Sequence, residues 1–368
     1  MSFSDFVSVT IVTYNSGRFI KRCLDSVLDQ KYPRVEIIVI DNASEDGTVD
    51  LLEPFEDRCR IVYNEENIGF AAAQNQAIRL SRGGWVLTLN PDVLLLPDFI
   101  EALVNAGKLD PRAGTVCGKL LTMTAGFDFP AEPVVDSTGI YFTPNLRHLD
   151  RGSLEVDNGH YLQYEYVFGA TAAAALYRRA MIDDVSIDGE FFDNDFFAYR
   201  EDADVAWRAQ LMGWRCVYAP YARGYHVRKA LPGNRRALPA FINMHSVKNR
   251  FLLRMKNMTW DLYKRNWFSI TIRDLVVIGC CLLSEHTSLK AFPFLFKNWG
   301  RIMDKRRKIL SNQRVDNEYI ASWFSFKPVS KPAPKKVAKP SAILSRSRAA
   351  RRWNRLHQLI AYGSEKKY

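Results

Sequence analysis

Over the first hundred residues, apolar positions fall into short β-branched runs separated by longer stretches in which they recur every three or four places. The runs 7–13 (VSVTIVT), 35–41 (VEIIVID), 60–63 (RIVY) and 85–90 (WVLTLN) read as strands, and 19–30, 48–55 and 70–82 read as the helices between them. Because the strands are nearly continuous in apolar character, both their faces must be covered. The order βαβαβαβ therefore predicts an α/β fold, Rossmann-like, with a mostly parallel central sheet and flanking helices. Ligands of such sheets bind at the carboxyl ends of the strands. The residues immediately after the strands are Tyr14 and Asn15, Asp41 and Asn42, the NEEN run 64–67, and Asn90 to Asp92. Nearly all are polar.

After about residue 100 the pattern weakens, until SLEVDNGHYLQYEYVFGA suggests strands leading into Gly169. FFAYREDADVAWRAQLMGW reads as a loop entering a helix over 201–212, with acids in its first turn where the helix dipole favours them and Gly213 as its stop. A strand over 215–219 follows and ends near His226. Beyond 227, aromatic and basic residues interleave in helix-like stretches such as MHSVKNRFLLRMKN and FPFLFKNWGRIMDKRRKIL. KPVSKPAPKKVAKP, 327–340, reads as a Pro/Lys linker, and SRSRAARRWNRLHQLIAY as a short amphipathic helix.

Composition changes this picture in one respect. With 368 residues, 47% hydrophobic and 25% charged, the chain can bury a real core. Its net charge of +11 is unevenly placed: residues 1–226 hold 20 Lys and Arg against 33 Asp and Glu, and residues 227–368 hold 31 against 7. A region that basic suits a polyanion, either nucleic acid or an anionic membrane surface. The six cysteines are scattered without a CxxC pair, which suggests neither zinc site nor disulfide framework and fits a reducing compartment. MSFSDFVSVT lacks a basic region followed by an apolar core, and the apolar run 275–283 is about half of what a spanning helix needs. The expectation is a cytoplasmic protein.

Asp41, in IIVIDNASEDGT, suits either an Asx turn or a carboxylate that accepts hydrogen bonds from a nucleotide base or ribose. TYNSGRF after the first strand contains neither GxGxxG nor GxxxxGK[ST], so neither a dinucleotide site nor a P-loop is supported. Phosphates would need another source of positive charge. Asp92 supplies one indirectly, since Mg²⁺ or Mn²⁺ is commonly held by one or two protein oxygens together with diphosphate oxygens. Glu201 and Asp202, with Asp204 nearby, sit among aromatic residues, where burial tunes a carboxylate toward general-base work. His226, in ARGYHVR, is a candidate metal ligand that would tilt preference toward Mn²⁺.

Taken in order, TIVTYNSG, IIVIDNASEDGT, NEENIGFAAAQNQAI, LTLNPDVLLLPDF, FGATAAAALYRR, FFAYREDADVAWRAQLMGW and GYHVR closely resemble the family 2 glycosyltransferases of GT-A fold, in the bacterial rhamnosyltransferase-like branch. The resemblance runs from about residue 7 to 230 and extends in the aromatic-basic segment to about 310. It implies a GT-A catalytic domain over 1–230, with a nucleotide-sugar half to about 100 and an acceptor half beyond. A helical, aromatic and basic region, 231–326, and the linker and tail, 327–368, would follow. It also implies inverting transfer from a nucleotide diphosphate sugar, dTDP-rhamnose being favoured, with UDP-galactofuranose, UDP-hexoses and GDP-sugars open. Thr13, Tyr14, Asn15 and Asp41 would hold the nucleotide, and Asn67, Gly69, Phe70 and Asn75 would complete the donor pocket. In the short acidic motif, Asp92 matches the metal-binding acid and Asn90 replaces the first acid, with His226 as the second ligand of Mg²⁺ or Mn²⁺. Asp202 matches the general base, with Glu201 beside it. Asp204 or Arg208 would orient that base or contact the acceptor, and Gly169 and Ala170 would line the floor near it.

The resemblance makes the acceptor a glycan of the cell envelope, free or lipid-linked. The basic region, with Trp260, Trp267, Phe292, Phe294, Trp299 and Trp353, would then lie peripherally on the inner face of the membrane, or else form a homodimer surface with a solvated tail. Nucleic acid is not expected as a partner. A nucleotidyltransferase would need a glycine-rich basic loop after the first strand, which TYNSGRF does not supply.

Overall fold

A computed structural model of the chain describes residues 5–227 and 239–333. Its strands are β1 (Val7–Thr13), β2 (Val35–Asp41), β3 (Arg60–Tyr63), β4 (Trp85–Leu89), β5 (Val93–Leu95), β6 (Ala113–Thr122), β7 (Val135–Ser137), β8 (Ile140–Phe142), β9 (His148–Asp150), β10 (Glu165–Val167), β11 (Ala174–Arg178), β12 (Arg215–His226) and β13 (Lys331–Pro332). The helices are α1 (Ile20–Leu28), α2 (Thr48–Leu52), α3 (Phe70–Leu80), α4 (Phe99–Gly107), α5 (Arg179–Val185), α6 (Glu201–Leu211), α7 (Ala240–Asn257), α8 (Trp260–Leu283), α9 (Ala291–Lys297), α10 (Trp299–Ser311) and α11 (Asn317–Ala321). The predicted βαβαβαβ half is present, with β1 to β3 at the bounds read from the sequence.

The main sheet runs β13-β10-β12-β6-β11-β4-β1-β2-β3. β1 pairs in parallel with both β2 and β4, β2 with β3, and β6 with β12. β11 is antiparallel to β4 and β6, so the sheet is mixed at its middle. The register places Thr13 opposite Asp41 and Ile11 opposite Leu89, so the loops after β1, β2 and β4 open on one edge. β12 is longer than the expected 215–219. It carries Pro220, and its register against β6 shifts between Tyr218 and Arg223, where the proline cannot join the ladder. Past that irregularity β12 pairs antiparallel with β5, bringing His226 opposite Val93.

The expected boundary near residue 230 does not separate two bodies. The described residues up to Ala333 form one compact unit. Trp207 of α6 is fully buried against Phe142, Phe168 and Phe324, with ring centroids 5.1 Å from both Phe142 and Phe324. Each such side chain withdrawn from water contributes roughly 1.5–3 kcal/mol. Further along α6, Tyr319 of α11 donates its hydroxyl hydrogen to Gln210 Oε1 at 2.7 Å. The beginning of the Pro/Lys segment also joins the fold, as β13 beside β10. The rest of that segment and the amphipathic stretch with Trp353 lie outside the described residues.

Candidate active site

At the carboxyl ends of β1 and β2, the Asp41 carboxylate is buried and accepts from Thr13 Oγ1 at 2.7 Å, from Ser44 N at 2.9 Å and from Ser44 Oγ at 2.6 Å. It thus forms the Asx-type turn that a DNAS sequence favours. That turn positions the neighbouring loop, where Tyr14 is 52% exposed and Asn15 takes φ +50° while accepting from Glu45 N at 2.8 Å. Beside it, Asn42 donates to Asn67 Oδ1 at 3.0 Å, and the same oxygen accepts from Gly69 N at 3.0 Å. Gly69 has φ +86°, and a Cβ there would meet the Phe197 ring at 2.6 Å. Only glycine satisfies both constraints. Phe70 opens α3 and is half-buried, with its ring edge-on to Phe192 at 6.1 Å.

Asp92 and His226 meet as the sequence led us to expect. His226 Nε2 is 3.5 Å from Asp92 Oδ1, and the backbone of Asp92 accepts from Val227 N at 3.1 Å. The other ring nitrogen, Nδ1, lies 2.8 Å from Oδ2 of Asp136, a buried carboxylate that the sequence did not single out. Asp136 lies in β7, 90 positions from His226, and VVDSTG carries no local mark of such a role. Burial lowers the pKa of His226, but the hydrogen bond to Asp136 and the charges of Asp136 and Asp92 outweigh it and push the value up to about 10. Asp92 Oδ1 is buried and accepts no hydrogen bond. An unsatisfied carboxylate oxygen facing an imidazole nitrogen, whose other nitrogen is oriented by a second carboxylate, fits a hard divalent cation. Among the described residues no cluster of three or more His, Cys, Asp or Glu side chains forms a fuller cage, so remaining ligands would come from diphosphate oxygens and water.

Asn90 N donates to Ala173 O at 2.9 Å, and Ala172 N donates to Asp202 Oδ2 at 3.3 Å. The β4–β11 pair therefore brings Asp202 to the exit of β4, within two residues of the acidic motif. Burial, followed by the charge of Asp150, pushes Asp202 up to about 6, against the opposing hydrogen bonds from Ala203 N and Ala172 N. Glu201 is buried, its Oε2 accepts no hydrogen bond, and burial plus the Asp202 charge push its pKa well above the carboxylate range. Of the two, Glu201 is thus the carboxyl that burial biases more strongly toward its protonated form. The turn before them is strained: Phe197, Tyr199 and Arg200 take φ of +66°, +71° and +71°. Such residues cost on the order of 1–3 kcal/mol each and persist where neighbours over-determine them. Here Asn249 of α7, fully buried, donates Nδ2 to the carbonyls of Phe196, Ala198 and Tyr199 at 2.9, 2.8 and 2.7 Å. A helix from the basic region thereby shapes the loop that leads into Asp202.

Several expected contact residues are placed in the interior. Asp204 is fully buried, accepting from Arg208 Nε at 2.8 Å and from Asn257 Nδ2 at 2.7 Å. Arg208 is buried as well and donates to the carbonyls of Val185 and Phe191 at 2.5 and 2.6 Å. Neither reaches an acceptor, so their part is to fix α6. Asn75 is 3% exposed and holds Phe192 and Asn194 through both ends of its amide, which keeps it out of a donor pocket and makes it a brace for the loop 191–194. Gly169 lets α6 approach, since a Cβ there would meet Ala206 Cβ at 2.3 Å. Ala170 is buried beside it, and Thr171 is the more exposed residue of that floor.

Comparison with known proteins accords with this geometry. The sequence model described as Glycosyl transferase family 2 matches residues 8–185. A glycosyltransferase assigned to teichuronic acid biosynthesis, TuaG of Bacillus subtilis strain 168, is 39% identical over 103 residues, covering 27% of this chain and 41% of that protein. The chain thus spans less than half the length of this relative. An N-acetylglucosaminyl-diphospho-decaprenol L-rhamnosyltransferase of Mycobacterium tuberculosis is 28% identical over 243 residues, 61% of this chain and 76% of its own. In fold, the crystal structure of GalNAc-T7 with UDP, GalNAc and Mn²⁺ superposes with a TM-score of 0.56 at 14% identity, over 70% of this chain and 49% of that one.

Proposed function

Because residues 8–185 carry a family 2 glycosyltransferase domain, we propose that this GT-A enzyme transfers a sugar with inversion from a nucleotide diphosphate donor, dTDP-rhamnose foremost, to a hydroxyl of a lipid-linked cell-envelope glycan. The observation that carries the proposal is Asp202: a partly exposed carboxylate tuned to about pH 6, presented at the exit of β4 beside the Asp92–His226 pair. The nucleotide rests on Tyr14, Asn15 and the Asp41 turn. Asp202 takes the proton of the acceptor hydroxyl as that oxygen attacks the anomeric carbon from the side opposite the diphosphate. Asp92 and His226 would hold Mg²⁺ or Mn²⁺, which when bound neutralises charge developing on the diphosphate.

Membrane contact rests on α8. This helix is long and apolar enough to cross a bilayer, with mean hydropathy 1.5 over its best window and 17% of that window buried, although the sequence run 275–283 had looked too short. Leu262, Ile270, Val277 and Cys281 pack inward, while at about 3.6 residues per turn Phe268 and Leu275 fall on the opposite face, with exposed Trp267 and Val276 on its flanks. Ion pairs from Arg250 and Arg254 to Asp274 at mid-helix favour a helix lying on the protein with its outer face in the interface, over one crossing it. The test of the activity is incubation with dTDP-rhamnose, UDP-galactofuranose, UDP-hexoses and GDP-sugars, with Mn²⁺ or Mg²⁺. Release of nucleoside diphosphate from dTDP-rhamnose above the others supports the reading. Release from another donor corrects the sugar, and release from none overturns the proposal.

A further inference from the structure

Beneath the strained loop lies a cavity of about 370 Å³ that the reaction described above does not use. Phe197, Met244 and Phe294 give it apolar walls, and Lys248, Lys290 and Arg301 bring positive charge to it. The surrounding charges do not balance. Behind the cavity, Glu190, Asp193 and Asp195 are matched by Lys256, Lys305 and Arg301: Lys256 Nζ is 2.9 Å from Asp195, Lys305 Nζ is 2.8 Å from both Glu190 and Asp193, and Arg301 pairs with Asp195. Lys248 and Lys290 are left over. The Lys248 ammonium is 3% exposed, donates to the Asp195 carbonyl at 2.5 Å and lies 4.6 Å from the centroid of the Phe294 ring, with no carboxylate of its own. Lys290 is exposed and makes no ion pair among the described residues. A buried ammonium against an aromatic ring is costly to keep without a counter-charge, and with Lys290 at the surface beside it the cavity suits an anion.

The position of the cavity narrows which anion. His245, which also lines it, stacks on Phe197 with centroids 4.9 Å apart, and the carbonyl of Phe197 accepts from Ala71 N at 3.0 Å beside the donor loop. Phe197 precedes Asp202 by five residues, so one face of this short loop walls the cavity and its end presents the base. We infer that this cavity binds a phosphate or diphosphate esterified to an apolar chain, with Lys248 and Lys290 on the phosphate oxygens and the chain against Phe197, Met244 and Phe294, and that the ester is that of the lipid-linked acceptor. The inference rests on the glycosyltransferase reading for the word acceptor, and on the cavity alone for the anion.

The test is calorimetric titration of the full chain with geranyl diphosphate, repeated on Lys290→Glu and Lys248→Met. Co-sedimentation with phosphatidylcholine vesicles containing phosphatidylglycerol runs alongside. The expected result is that each substitution weakens geranyl diphosphate at least tenfold while nucleoside diphosphate affinity stays within about twofold. Lys290 is on the surface, so its variant keeps the test decisive if Lys248→Met fails to fold. Unchanged geranyl diphosphate affinity overturns the inference. So does loss of vesicle binding with geranyl diphosphate unaffected, which would assign the cations to bilayer headgroups. Since binding is read without turnover, absence of sugar transfer refutes the catalytic reading and leaves the anion site standing or falling on its own titration.

Discussion

Replacing Asp202 by Asn separates what the carboxylate does for the reaction from what it does to the fold. Its pKa is raised from an ordinary 3.8 to about 6, which is about two units, and each unit corresponds to about 1.4 kcal/mol. The sign follows from proton uptake. Below about pH 4 folded and unfolded chains both carry the proton, and the effect vanishes. Between about 4 and 6 only the unfolded chain releases it, so stability falls. Above about 6 the full penalty, about 3 kcal/mol, is present. Asparagine removes that charge, but its amide turns one N–H toward the donors Ala172 N and Ala203 N, giving back about 1 kcal/mol. The net gain at pH 8 is about 2 kcal/mol. With about 2.1 cal/mol/K of unfolding entropy per residue over the described unit, that raises Tm by about 3 °C, and the gain disappears near pH 4.5. Transfer should fall by roughly 10² to 10⁴. Thermal melts at pH 4.5 and 8, with turnover on the same preparations, check both halves. A variant that is less stable at pH 8 refutes the electrostatic account, and near-normal turnover refutes the base assignment.

Four further outcomes follow from the same geometry. Because His226 is held protonated by Asp136 and Asp92, cation binding must expel a proton: Mn²⁺ affinity, read by electron paramagnetic resonance without donor, should rise about tenfold per pH unit between about 6.5 and 8.5. Asp136→Asn should weaken that affinity about 10- to 100-fold, and a flat pH profile would count against the pair as ligands. Asn249→Leu removes the donor that three loop carbonyls share, so stability in urea should drop by about 1–3 kcal/mol and kcat should fall with donor affinity held. An unchanged kcat would detach α7 from the base loop. Finally, Phe268→Glu with Leu275→Glu on the exposed face of α8 should weaken binding to anionic vesicles at least tenfold; retained binding would move the membrane contact elsewhere.

The catalytic half was legible because its signals are local. A parallel strand buried on both faces must be apolar along its whole length, so β1 to β4 are visible in the hydrophobic pattern, and the rule that ligands gather at their carboxyl ends picked out Tyr14, Asp41 and Asp92. The burial of Asp202 was equally readable from acids set among aromatics, and burial is what raises its pKa. The same locality misled where a motif residue turned inward. Asp204, Arg208 and Asn75 are polar and lie close to the motifs in sequence, yet α6 and α3 turn them toward the interior, where buried polar groups must find protein partners.

The sequence by itself determined the α/β order, the ligand edge and the opposed charges of the two ends of the chain. The tertiary structure alone decided which carboxylate orients His226, how burial raises the pKa of Glu201 and Asp202, and how α7 holds the loop before them. These depend on pairs far apart in the chain: Asp136 with His226, Ala172 with Asp202, Asn249 with the 196–199 carbonyls, Lys256 with Asp193 and Asp195. A local pattern records which face of an element is buried. Desolvation and charge at a site depend on everything packed around it, and that is assembled only when the chain closes on itself.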